Sequence, residues 1–179
     1  MSDTSPVESK TAGKFLRGFG LIVHTISYAL WFGGIIAIGA LVAPNAFHFT
    51  ESMPQLSGNE ALQKAIAGGI VGASLSAFNT VSYVAGIAML FADTLESLGA
   101  GAMRFAATTL VRSALTVALL LIAFYLGYHI LPLMDRPGVH ETTLFDQLHN
   151  QYVNLVYLQM GILLLIPVVT AWRNEIRKR

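Results

Sequence analysis

The sequence predicts an all-α integral membrane protein: a four-helix bundle with both termini in the cytoplasm. Three observations carry this expectation. Hydrophobic residues make up 54% of the 179 residues and charged residues only 12%, against about 25% charged in a soluble domain. Four stretches, 18–50, 65–92, 113–134 and 147–172, contain no Asp, Glu, Lys or Arg, and each exceeds the roughly 20 residues a spanning helix needs. Lys and Arg are segregated. Eight of them (Lys10, Lys14, Arg17, Arg104, Arg173, Arg177, Lys178, Arg179) fall on one predicted side, and only Lys64 and Arg136 on the other. The basic side is cytoplasmic.

The spans are helices because lipid leaves backbone groups no other partner than their own chain. A β-barrel would alternate with period two, and runs such as Leu119–Leu120–Leu121–Ile122 do not. Residues 1–15 are polar and small and read as a disordered arm. The first span covers 16–42. Its apolar stretch is longer than the roughly 7–15 residues of a signal-peptide core, so it reads as a retained helix, with cleavage as the alternative.

An outer loop, 43–63, comes next. Ser57-Gly-Asn-Glu60 has capping-box spacing and starts the second helix near Gly58, with its span at 66–91. A cytoplasmic loop, 92–104, is broken by Gly99 and Gly101. The third span is 105–131. Pro137–Gly138 marks the next turn, and Thr143 with Asp146 makes a cap and an acidic first turn. The fourth helix then rises about two turns before its span at 150–172, is kinked by Pro167, and ends in a basic tail, 175–179.

Helices in lipid pack through small residues and occasional polar contacts. The second span carries Gly68, Gly72, Ser76, Asn79, Tyr83 and Gly86 at steps of three and four, a candidate packing stripe or polar pathway. The first has His24, Ser27, Tyr28, Trp31 and Gly34 on one face. The third has Thr108, Arg112, Thr116, Ala123 and Gly127, and the fourth Asn150, Asn154, Tyr157 and Gly161. Four such faces make a bundle with a partly polar interior.

Cysteine is absent, which excludes disulfides, thiolate nucleophiles, iron–sulfur clusters and all-thiolate zinc sites. A haem or divalent metal would have to rely on imidazole and oxygen. The net charge of +1 argues against a nucleic-acid partner. Walker, dinucleotide-binding, nucleophile-elbow and His-Glu-x-x-His patterns are all missing, so nothing points to nucleotide or hydrolytic chemistry.

Arg112 lies two turns inside the third span, where an arginine is costly unless paired or snorkelling. It either reaches headgroups, partners an anion or haem propionate, or packs with His24, which lies at comparable cytoplasmic depth. His24 reads as a haem ligand, a proton relay or a hydrogen-bonded core residue; a bound haem would use His24 with Arg112 or, alternatively, His129 with His149. On the outer side, His48, His129, His140 and His149 gather with Glu51, Glu60, Asp135, Glu141 and Asp146. Asp146 and His149 share one helical face. With His48 they form a candidate metal set, the alternative being a solvated acidic loop.

Four motifs in order resemble the domain-of-unknown-function family numbered 4149, the transmembrane protein 205-like group. They are Trp31–Phe–Gly33–Gly34 with Val42–Ala43–Pro44; Ala67–Gly68 through Gly72 and Phe78; Arg112 with Leu131–Pro132; and Phe145–Asp–Gln–Leu–His149 with Asn154. The resemblance spans about residues 20–166 and implies a four-helix membrane protein. Over the first helix alone, His24 and Trp31–Gly34 are also similar to small haem-dependent protoporphyrinogen oxidases and to relatives of copper-resistance protein D. The expected function is non-enzymatic: small-solute or metal-ion handling in a bacterial inner membrane, or an accessory role. The partners would be the lipid bilayer and either a second copy or a larger membrane complex. The alternative is a haem-binding redox protein or oxidase.

Overall fold

Segments this apolar satisfy their backbones internally, and the computed structural model, which describes residues 6–99, 107–136 and 143–176, is helical with no strand among them. Four helices are long and apolar enough to cross a membrane: Thr11–Glu51, Glu60–Leu98, Ala107–Met134 and Thr143–Trp172. Helix α1 (Pro6–Ala37) passes through a π turn, Ile38–Val42, into α2 (Ala43–Glu51). A 3-10 turn, Pro54–Leu56, leads to α3 (Glu60–Leu98). Helix α4 (Ala107–Tyr125) continues through a second π turn, Leu126–Ile130, into α5 (Leu131–Met134), and α6 (Thr143–Ile176) completes the fold.

Helix α3 is the hub. It packs along α1 and α2 on one side and α4 on the other; α4 packs on α6, and α6 touches α1. Trp31 and Ile35 of α1, Ala85 and Met89 of α3, Leu119, Leu120 and Ala123 of α4, and Leu163 and Ile166 of α6 form one buried core. A second cluster, nearer the predicted outer side, joins Leu126, Ile130, Leu131, Leu148 and Tyr152.

The structure moves several expected boundaries. The first helix does not stop at 42. Pro44 and Pro132 each follow a π turn, in which Ala43 N–H bonds Ile38 O and Leu131 N–H bonds Leu126 O. A proline ring clashes with the carbonyl four residues back in an α-helix. The wider turn shifts that register, so each proline sits at the start of a renewed α-helix. The cap of α3 is Asn59, whose side chain accepts from Leu62 N–H at 3.1 Å, in place of Ser57.

The stretch expected as a disordered arm is helical from Pro6. Its backbone crosses the end of α3, where a Cβ on Gly13 would lie 2.9 Å from Gly99 O. Helix α3 also runs past 91 to Leu98, with Gly99 as its C-cap. Asp93 and Glu96 are therefore helical and buried, not loop residues. Asp146 lies in the first turn of α6 as expected. Gly101, Pro137–Gly138, His140 and Glu141 lie outside the described residues.

The inward faces expected for α1 and α4 point inward: His24, Ser27 and Trp31 are buried, as are Arg112, Thr116 and Ala123. In α3 the stripe divides. Asn79 and Gly86 are buried, but Gly68 and Ser76 are exposed, and Gly72 has only Asp135 Oδ1 nearby, 3.9 Å from where its Cβ would be. Gly68 and Ser76 thus do not serve as packing positions within the chain. In α6 the expectation is reversed. Asn150, Asn154, Tyr157 and Gly161 are exposed, and Leu148, Tyr152, Gln159, Leu163 and Ile166 face the core. Polar residues occur on more than one side of α6, so its aliphatic side won the core.

Candidate functional site

Three helices bring ionisable side chains into one buried layer. Arg112 of α4 is only 2% exposed, Asp93 of α3 2%, Glu96 6% and His24 of α1 6%. One guanidinium nitrogen, Arg112 Nη2, is paired with Asp93 Oδ1 and lies 3.1 Å from Glu96 Oε1. Ser113 Oγ donates to Asp93 Oδ2 at 2.7 Å. His24 Nε2 stands 3.9 Å from Asp93 Oδ1.

Local helix geometry builds this layer. Asp93 and Glu96 are three apart, so both face α4. Gly20, one turn before His24, lets α1 approach: a Cβ there would lie 2.9 Å from Ala92 O and 3.2 Å from Glu96 Cγ. Thr116 Oγ1 donates to Arg112 O at 3.0 Å, closing the turn above the arginine.

Of the readings open for Arg112, the structure has the paired one: its guanidinium turns to two carboxylates and not to the surface. His24 shares the layer through Asp93. Among these four groups, Arg112 carries one positive charge against two carboxylates. A proton gained or lost on His24 or either carboxylate changes the charge of this layer. Taking these groups out of water costs several kcal/mol per ion, by the rough scale for buried charges, so each must find partners within the bundle.

Above the layer, Trp31, Met89 and Leu119 are fully buried and close the bundle. A second polar layer follows. Asn79 and Ser82 are buried, and Tyr83 Oη donates to Ala123 O at 3.2 Å. Asn79 lies about 21 Å along α3 from Asp93, from fourteen residues of helical rise. Gln159 reaches in from α6 to donate to Leu119 O at 3.4 Å.

The other expected site residues do not join this centre. His129 is exposed, stacked 5.0 Å from Tyr125, and lies about 25 Å along its helix from Arg112. His129 therefore stands apart from His24 and Arg112. The expected metal set is likewise not assembled. His48 lines an open groove with Asn45, Phe49 and Ile70, His149 stacks 5.9 Å from Phe145, and Asp146 is exposed. No group of three His, Asp or Glu side chains among the described residues is arranged to hold a metal.

Asp93 and Glu96 are the residues that sequence reasoning missed. The signal was present: two carboxylates at helical spacing directly after a charge-free stretch, on the helix antiparallel to one bearing a lone arginine. Comparison with known proteins finds no matching family model, no matching curated protein and no matching solved structure, so roles at this site rest on its own geometry.

Proposed function

We propose that this is a non-enzymatic, multi-pass protein of a bacterial inner membrane, with both termini cytoplasmic, that handles a small solute. The layer of His24, Asp93, Glu96 and Arg112 is its proton-binding centre. The observation that supports this reading is the burial of all four groups in one layer built by three helices. Ionisable groups inside membranes are costly and mark proton relays and ion pathways. A proton gained or lost here changes which carboxylate Arg112 holds, and so biases how α1, α3 and α4 pack. The polar layers separated by Trp31, Met89 and Leu119 suit a protein that exposes one side at a time. Handling of a metal cation is the weaker version, because Arg112 repels a cation and, among the described residues, no group of three His, Asp or Glu side chains is arranged to hold one.

The test is flux in proteoliposomes under an imposed pH gradient, with labelled metal cations, amino acids, organic acids and sugars as probes. Gradient-dependent movement of one solute class, lost when Asp93, Glu96 and Arg112 are all made apolar, is the expected result. A wild-type protein that moves none of these probes overturns the reading.

A further inference from the structure

Helix α6 turns a partly polar face outward from the bundle. Asn150, Asn154, Tyr157, Gly161, Leu164 and Val168 follow one another at steps of four and three, and all six are exposed. Asn154, Tyr157 and Gly161 lie around the middle of the membrane-length segment Thr143–Trp172. Tyr157 is 66% exposed there. Neither Asn150 nor Asn154 has a side-chain hydrogen bond among the described residues. An amide facing acyl chains has no partner to bond.

We infer that this face of α6 pairs with the same face of a second copy of the chain. The argument for a second copy is complementarity. All copies insert with the same orientation, so a two-fold axis stands along the membrane normal and the two α6 helices run parallel. Each residue on the seam then meets its own equivalent. A carboxamide carries both donor and acceptor, so two identical asparagines bond each other, which two identical charged groups would not do. Steps of four and three repeat every seven residues, the spacing of a left-handed helix pair, and a seam asparagine sets parallel register. Gly161, with no Cβ and nothing of its own chain within 4 Å of where one would be, lets the two backbones come close at the seam. Small residues and interhelical hydrogen bonds are what drive helix association in lipid. This pairing is independent of the proton-binding layer, which lies on the inner side of α1, α3 and α4.

Because the chain has no cysteine, single cysteines report the interface directly. Asn154→Cys and Gly161→Cys are each expressed in native membranes and oxidised with copper phenanthroline. Val84→Cys and Leu121→Cys, exposed on α3 and α4, serve as references. A disulfide-linked dimer of this chain from both α6 variants, well above the two references, is expected. In lipid vesicles, fluorescence energy transfer between labelled copies should show Asn154→Leu weakening self-association about tenfold, the scale of one interhelical contact. Cross-linking no greater than at Val84→Cys and Leu121→Cys, adducts only with a different protein, or unchanged association of Asn154→Leu would each overturn self-pairing.

Discussion

Arg112 on α4 and Asp93 on α3 form an ion pair from which solvent is almost wholly excluded. Ser113 Oγ holds the second Asp93 oxygen, and Glu96 Oε1 lies beside the same guanidinium nitrogen, Nη2. A buried pair is weak evidence of net stability, because desolvation offsets its attraction, but removing one partner strands the other. Arg112→Met alone should therefore destabilise the fold by about 3–5 kcal/mol. Arg112→Met with Asp93→Leu and Glu96→Leu should recover most of that loss, since no charge of the trio is left buried. Reversible unfolding in mixed micelles measures both. A neutral single variant would show that the layer does not depend on its arginine.

The glycines of the bundle divide by what a methyl group would meet. A Cβ on Gly86 would lie 2.5 Å from Leu120 Cδ2 and 2.7 Å from Trp31 Cζ3, and both of those side chains are buried. Gly86→Ala should cost about 1–3 kcal/mol through overpacking. Gly68→Ala adds a methyl group where nothing lies within 4 Å, and should leave stability unchanged or raise it by up to about 1 kcal/mol through helix propensity. Equal effects from the two substitutions would contradict the packing described for α3.

The start of α3 offers a discrimination between neighbours. Asn59 caps it through Leu62 N–H, and Ser57 ends the preceding 3-10 turn. Asn59→Ala should cost about 1 kcal/mol, the usual loss for a missing N-cap, and Ser57→Ala almost nothing. Unfolding midpoints of the two variants decide this, and a larger loss at Ser57 would move the cap back to the capping-box position.

The four long apolar helices and the inward faces of α1 and α4 were legible, because segments this apolar must bond their backbones internally and are written in the sequence as missing charge. What the charge-free stretches could not show was where a helix continues past them. Helix α3 carries Asp93 and Glu96 inside the bundle because Arg112 waits on the neighbouring helix, and a rule that ends a span at its first charge places them in a loop. Pro44 and Pro132 misled for a related reason, since a π turn absorbs the proline that would otherwise end the helix. The face of α6 was not legible at all. Polarity predicts burial only when the helix has no other polar side, and α6 buries Gln159 while exposing Asn154. The layer itself was half legible: His24 and Arg112 share a depth in the sequence, but the carboxylate between them did not show.

The orientation that places this layer near the cytoplasm rests on basic residues, and it can be tested with the same cysteine-free background. Ser57 lies between α2 and α3 and is exposed, and Leu98, at the far end of α3, is 65% exposed. Between them lies all of α3 but Leu98, a helix about 58 Å long from 39 residues of rise, which is long enough to set the two sites on opposite sides of a hydrocarbon core about 30 Å thick. With Lys and Arg concentrated beside Leu98 and the termini, Ser57→Cys should react with a membrane-impermeant maleimide in intact cells. Leu98→Cys should react only after permeabilisation. The reverse pattern would invert the molecule, place His24, Asp93, Glu96 and Arg112 at the outer leaflet, and have the proposed proton-binding layer draw its proton from outside the cell.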